Sequence, residues 1–313
     1  MRTDTSFELR IAKPRLTLRF ATWLIRMRET AFPKEADQVR ATFSNRTEPR
    51  DAPMPKGFET KYRVERWEAA GEPVVTLHPK TGAGEWHMLY FHGGGFVLPM
   101  FKEHWPLAAA MVDALGCSIS IPLYPVSPEH SYSKADAQAD AAFAKIAETH
   151  DTSKIVLNGD SAGGHMALSL ALRLAKVGGQ QPGKLALFAP WLDVTAADEA
   201  IKAIEPHDVM LRIGSLRVCG EMWAEDRDPS SPECSPLFTS KDDLALLPPT
   251  RIWTGRHDLF IIDSRTFVGK LREAGVDAKL YEYEGAPHVF MAITPTREAK
   301  DVFGLLDDFL SQP

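Results

Sequence analysis

Apolar residues run through this chain in two rhythms. Beyond a proline-rich stretch, "TEPRDAPMPKG" from Thr47 to Gly57, which reads as a linker, short apolar runs occur at Met88–Phe91, Ser118–Ile121, Ile155–Leu157, Leu185–Phe188, Arg251–Trp253 and Leu280–Tyr283. Longer segments with helical spacing lie between and after them, at Leu107–Leu115, Ala135–Ala147, Ala162–Val177, Arg265–Ala274 and Arg297–Leu310. Apolar strands alternating with amphipathic helices predict crossover connections and a mostly parallel sheet covered on both faces, an α/β fold. Directly after the linker, "KYRVERWEA" and "PVVTLHP" flank a turn at Gly71 and predict an antiparallel pair.

Two segments break the alternation. About 60 residues separate the run ending near Asp193 from the one starting at Arg251, too many for an ordinary connection. This insertion carries Val209, Leu211, Ile213, Leu216, Val218, Met222 and Trp223 at helix-like positions and leaves through Pro229, Pro232, Pro236, Pro248 and Pro249. Ligands bind beyond the carboxyl ends of strands in open α/β sheets, so the insertion is expected to lie over them. The other segment is residues 1–50, where eleven Lys/Arg stand against six Asp/Glu. There Leu16, Phe20, Trp23, Leu24 and Met27 recur at helical spacing among Arg15, Arg19, Arg26 and Arg28. That spacing predicts a surface helix whose apolar residues lie beneath a solvated basic face; a membrane or nucleic-acid contact is the alternative.

Composition narrows the class. With 44% hydrophobic and 25% charged residues the chain reads as an ordinary globular domain, and a net charge of −6 argues against a nucleic-acid surface over the whole molecule. No apolar run reaches the roughly 18 residues that span a bilayer, so no stable membrane insertion is expected. Arg19 and Arg26 interrupt any signal-like core, and a cytoplasmic location is expected. Cys117, Cys219 and Cys234 are odd in number and far apart, which fits a reducing compartment and gives no metal or redox pair.

The chemistry concentrates in "NGDSAGGHMA". "KIVLNG" reads as a strand ending in a turn and "AGGHMALSLALRLAKVG" as a helix, with Ser161 at the bend. Gly159-Asp160-Ser161-Ala162-Gly163 is G-x-S-x-G in the strand–turn–helix setting of a nucleophile elbow, where small residues let strand and helix approach around a strained serine. A helix start for anion binding is the bland alternative. A serine nucleophile needs a base and an acid that orients it. "RIWTGRHDLF" ends one strand-like run with Asp258 and "LYEYEGAPHVF" follows the next with His288, in the order Ser, Asp, His. The rivals are weaker: His257 adjoins the acid, and Asp263 is placed to cap a helix beginning near Ser264. "HMLYFHGGGFV" offers Gly93, Gly94 and Gly95, whose backbone amides can meet a developing oxyanion; His92 reads as a group that orders this loop.

These motifs together with "YPVSPEH" (Tyr124–His130), "APWLD" (Ala189–Asp193), "SPL" (Ser235–Leu237), "LPPTRIWTG" (Leu247–Gly255) and "HVF" (His288–Phe290) resemble the hormone-sensitive-lipase-like, bacterial family IV carboxylesterases of the α/β-hydrolase superfamily. The resemblance covers nearly everything after the linker and is weakest over the first 50 residues. It implies a catalytic triad of Ser161, Asp258 and His288 and an oxyanion hole formed by Gly94, Gly95 and Ala162. It also implies a cap made from residues 1–50, expected to be helical, and 195–246, over a core formed by 51–194 and 247–313. Two departures stand out. The family's usual Asp-Pro-Leu at the acid is Asp258-Leu259-Phe260 here, and "SYSKADAQAD" replaces a proline-containing stretch, with Gln138 near where an aspartate is common.

The function implied is hydrolysis of short- to medium-chain acyl esters, with a small-molecule ester as the partner and with no metal or organic cofactor. Phe96, Trp191, Leu259 and Phe290 are candidate walls of the substrate pocket, with the buried core as their alternative. A non-catalytic small-molecule receptor on the same fold, or an amide hydrolase or acyltransferase with the same triad, remains as a competing reading. A homodimer through an edge strand or the last helix is left open.

Overall fold

In the computed structural model the described residues are 6–27, 35–44, 46–47 and 49–312; Arg28 lies outside them. Nine strands form one sheet: β1 (Phe7–Ile11), β2 (Tyr62–Ala69), β3 (Glu72–Pro79), β4 (His87–Phe91), β5 (Ser118–Pro122), β6 (Ile155–Asp160), β7 (Lys184–Phe188), β8 (Thr250–Gly255) and β9 (Ala278–Tyr283). They lie in the order β1-β9-β8-β7-β6-β4-β5-β3-β2. The antiparallel pairings are those of β3 with β2 and with β5; every other pairing is parallel. The β2–β3 turn uses Ala70 and Gly71, both at positive φ (50° and 79°), as a two-residue hairpin of this twist requires.

Each central strand feeds two cores, because successive side chains point to opposite faces. Leu89 and Phe91 of β4 and Leu185 and Leu187 of β7 join one core with helices α5, α6 and α9, while Met88, Tyr90, Ala186 and Phe188 join the other with α4 and α10. In chain order the helices are α1 (Leu16–Met27), α2 (Ala36–Ser44), α3 (Phe58–Lys61), α4 (His104–Leu115), α5 (Tyr132–Ala147), α6 (Ala162–Lys176), α7 (Ile213–Ala224), α8 (Lys241–Leu244), α9 (Ile261–Glu273) and α10 (Arg297–Ser311). A fully buried Leu, Ile or Phe contributes roughly 1.5–3 kcal/mol, so two apolar faces explain why these strands read as continuous apolar runs. Residues 195–246 carry α7, α8 and short single-turn helices. Gln138, on α5, is buried and donates its side-chain amide to the Pro73 carbonyl at 2.9 Å.

Three expectations need correction. Residues 1–50 are not wholly helical: Phe7–Ile11 form an edge strand parallel to β9, with Phe7 opposite Leu280. The alternation Phe7-Glu8-Leu9-Arg10-Ile11 carried that signal, and ion pairs of Arg10 with Asp301 (3.1 Å) and of Lys279 with Glu8 reinforce it. Asp263 does not precede its helix but sits within the first turn of α9, buried. Most consequentially, the apolar stripe of α1 faces solvent: Leu16 is 76% exposed, Phe20 60%, Trp23 52% and Met27 68%. A second, narrower apolar face with Leu18 and Ile25 turns inward instead, and periodicity alone does not say which of two apolar faces packs.

Candidate active site

Parallel strands side by side deliver their carboxyl ends to one edge of the sheet, and the loops that follow carry all the candidate groups. β4 and β6 are neighbours with Phe91 opposite Gly159, so the His92–Gly95 loop and the Asp160-Ser161 bend meet. β8 and β9 are neighbours with Gly255 opposite Tyr283, and His257 N–H donates to the Ala286 carbonyl at 3.1 Å, tying the loops that carry Asp258 and His288.

Ser161 has φ 56° and ψ −120°, a conformation that L-residues rarely hold. The surroundings enforce it. Ser161 N–H donates to the Phe188 carbonyl at 2.9 Å and its own carbonyl accepts Trp191 N–H at 3.0 Å, while α6 begins at the next residue. The glycines make this approach physically possible: a Cβ at Gly163 would lie 2.0 Å from the Phe91 carbonyl oxygen, and one at Gly159 2.2 Å from that of Gly163.

His288 and Asp258 are both buried, and His288 Nδ1 lies 2.9 Å from Asp258 Oδ2. Burial by itself would push the imidazole pKa down, but Asp258, together with Asp208 and Asp160, holds it above the ordinary histidine value. Asp258 Oδ1 accepts the Phe260 N–H at 3.0 Å, which orients the carboxylate. With Nδ1 engaged, Nε2 is left as the ring atom able to take a proton.

Ser161, His288 and the three glycines Gly93, Gly94 and Gly95 share the wall of one cavity of about 400 Å³. Asp160, Glu103 and His104 add polar groups; Ile25, Met210, Leu211, Leu216, Ala292 and Ile293 make it predominantly apolar. Gly94 has φ 136°, and a Cβ there would lie 2.5 Å from the Leu98 carbonyl oxygen. Ala162 is buried directly behind Ser161 as the first residue of α6. His92 orders the loop: its ring stacks on Tyr124 at 4.2 Å, its Nδ1 meets the Gly93 carbonyl at 2.7 Å, and burial beside His104 drops its pKa to about 3. A larger, shallower groove of about 620 Å³, lined by Tyr62, Arg63, His78 and Lys80 near the opposite sheet edge, contains none of these groups.

The four proposed pocket walls lie elsewhere. Phe96, Trp191, Leu259 and Phe290 are buried and do not line this cavity. Phe96 is stacked between Trp223 and Trp191, Trp191 also stacks on Phe260, and Phe290 packs on Tyr283. They support the site from behind. The apolar lining comes instead from α1, the insertion and the segment after His288, whose meeting depends on long-range folding.

Two further buried carboxylates adjoin these groups. Asp160, inside the serine motif, accepts the Tyr90 hydroxyl and the Gly93 N–H (3.1 Å) and faces His104 Nε2 at 3.7 Å. Burial raises its pKa, yet His104 and these donors outweigh that and keep it below the usual carboxylate range. It therefore stays charged and fastens the glycine loop to the serine bend. Asp208, in the insertion, accepts Leu259 N–H at 3.0 Å through Oδ2, and Met210 and Leu211 N–H at 2.8 and 2.9 Å through Oδ1. Burial and the neighbouring Asp258 push its pKa up to about 6. Asp160 was legible from its place in the motif; Asp208 had no local signal. His257 stacks on His207 at 5.1 Å, outside the cavity wall. Among the described residues no group of three or more His, Cys, Asp or Glu is placed to hold a metal ion, and no helix is long and apolar enough to cross a membrane. Cys117, Cys219 and Cys234 are buried thiols.

Comparison with known proteins converges on one architecture. Residues 88–292 match a family described as having the alpha/beta hydrolase fold. An esterase of Acinetobacter venetianus is 32% identical over 200 residues, 63% of this chain and 65% of that protein. A carboxylesterase/phospholipase of Mycobacterium tuberculosis, LipF, is 29% identical over 221 residues, 68% of this chain and 58% of that protein. The chain thus spans less than two thirds of either relative. A crystal structure of an esterase from the bacterial hormone-sensitive lipase family superposes with a TM-score of 0.80 at 24% identity, covering 96% of this chain and 98% of that one.

Proposed function

Since the chain belongs to the α/β-hydrolase family, we propose that it acts as the hormone-sensitive-lipase-like esterases it resembles and hydrolyses carboxylic esters of short to medium acyl length through Ser161, His288 and Asp258. The observation that carries this reading is the buried 2.9 Å contact of His288 Nδ1 with Asp258 in a cavity that also exposes Ser161 at its strained bend. A receptor that merely binds an ester has no need of a hydrogen-bonded histidine–carboxylate pair in the same cavity as such a serine.

In this mechanism Ser161 Oγ attacks the ester carbonyl as His288 Nε2 takes its proton, and Asp258 holds the imidazole in the required tautomer and stabilises the imidazolium. The oxyanion is met by the N–H groups of Gly94, Gly95 and Ala162, a contribution worth about 2.7–4 kcal/mol per donor in comparable sites. His288 then protonates the departing alcohol, and water, activated by the same base, releases the acid from the acyl-enzyme. The cap, α1 together with residues 195–246, supplies apolar wall through Ile25, Met210, Leu211 and Leu216. A volume of about 400 Å³, near the lower end of the usual ~300–1,000 Å³ range of small-ligand pockets, favours short and medium chains.

The test is initial hydrolysis rates on p-nitrophenyl esters of increasing acyl length, beside Ser161→Ala. A maximum at short or medium chains that disappears in the variant supports the proposal. Turnover unchanged in Ser161→Ala would defeat the mechanism, and a folded protein inert toward every ester would direct attention to amides or to a receptor role.

A further inference from the structure

Helix α1 has two apolar faces with opposite fates. Leu18 is buried in the core, and Ile25, on the same side, forms part of the cavity wall at Ser161. Roughly half a turn away, Leu16, Phe20, Trp23, Leu24 and Met27 form a stripe about 100° wide at the helical spacing of 100° per residue. The stripe is exposed along its whole length, and Phe20 and Trp23 stack on each other at 5.7 Å within it. Single exposed apolar residues are common; five in register on one helix, including a tryptophan and a phenylalanine, mark a contact surface.

The charges bordering the stripe say what it contacts. Arg19 and Arg26 fall on one long edge of the helix at its spacing and Arg15 immediately precedes it, all exposed, on a protein whose net charge is −6. An apolar stripe of Leu, Phe, Trp and Met with a row of arginines along its border is the pattern of a helix lying in a membrane interface: the apolar groups enter the acyl boundary and the arginines meet anionic headgroups. We propose that α1 docks this protein peripherally on the surface of an anionic phospholipid bilayer. The helix is 12 residues long, too short to cross the bilayer, so it lies flat. Because its inner face is cavity wall, docking holds the serine cavity about one helix diameter, ~10 Å, from the lipid surface. An ester that partitions into the membrane then has a short path to the site.

The experiment is co-flotation of the full chain with vesicles of phosphatidylcholine alone or with phosphatidylglycerol, at low and high salt. Two variants accompany it, F20S/W23S and R19E/R26E, none of whose positions is assigned to catalysis or to the cavity wall. Binding to the anionic vesicles is expected, weakened by salt and reduced about tenfold or more in both variants, with hydrolysis of a soluble ester unchanged. Absence of flotation, equal binding by the variants, or equal binding to neutral vesicles overturns the proposal. So does sedimentation showing a wild-type dimer that F20S/W23S dissociates without any vesicle binding, because the stripe then meets a second copy. Flotation is read without turnover, so its result is separable from that of the esterase assay.

Discussion

Asp208 accepts a hydrogen bond from the backbone of Leu259 at 3.0 Å, fastening the insertion to the residue that follows the triad acid. A proline at position 259, as in the usual Asp-Pro-Leu of the esterases this chain resembles, has no N–H to give. The departure in sequence and the contact in structure are one feature. Through its other oxygen the same carboxylate holds Met210 and Leu211, two residues of the cavity wall, so one side chain sets both the acid loop and the lining above it.

Leu259→Pro is therefore expected to loosen the insertion while leaving Ser161 and His288 in place. The loss should fall on KM more than on kcat, by about tenfold, as expected when one hydrogen bond to a charged group worth ~1.5 kcal/mol is removed. Steady-state kinetics on a medium-chain ester would show the split.

The pH profile provides a second check. His288 is held above the ordinary histidine pKa, and it is active as a base only when neutral, so kcat/KM should rise with pH through a midpoint above about 6.5. Asp208→Asn keeps an acceptor for Leu259 but removes a negative charge that favours the imidazolium. The His288 pKa then falls and the midpoint should move to lower pH. Asp208 titrates near 6, so below that pH variant and parent should converge.

Asp258→Asn addresses the orienting contact. An amide in place of the carboxylate favours the wrong imidazole tautomer, and kcat should drop by about 10³–10⁴ with little change in thermal stability.

A stability prediction comes from Asp263, which burial and the nearby Asp193 and Asp198 push up to about 8. The native state holds a proton there that the unfolded chain releases near pH 4, so folding loses free energy as pH rises from about 4 to about 8. Asp263→Asn should match the parent near pH 4 and gain on the order of 2–4 kcal/mol over it by pH 8. Denaturant unfolding across that range measures the difference.

What the sequence disclosed follows the range of the interactions involved. The central strands were readable because burial on both faces leaves them apolar throughout, and the serine bend because its requirements are contained in five consecutive residues. Asp258 and His288 could be found from their positions after successive strands. Phe96, Trp191, Leu259 and Phe290 misled because an aromatic or aliphatic residue beside a motif looks the same whether it lines the cavity or props up the motif from behind. Asp208 had no local signature at all: it reaches Leu259 only after the insertion folds back over the sheet. On α1 both faces were apolar, and only packing decides which one turns inward.

Strand β1 is synthesised first and its neighbour β9 among the last, and the ion pair between Arg10 and Asp301 joins positions 291 apart. On the ribosome that edge cannot close until β9 has been made, so each nascent molecule carries an unpaired leading strand beside the amphipathic helix α1 until then. Contacts of such long sequence separation are slow to form and leave aggregation-prone surface open meanwhile. The pairing of β1 with β9 thus sets how long the leading strand stays open to wrong partners.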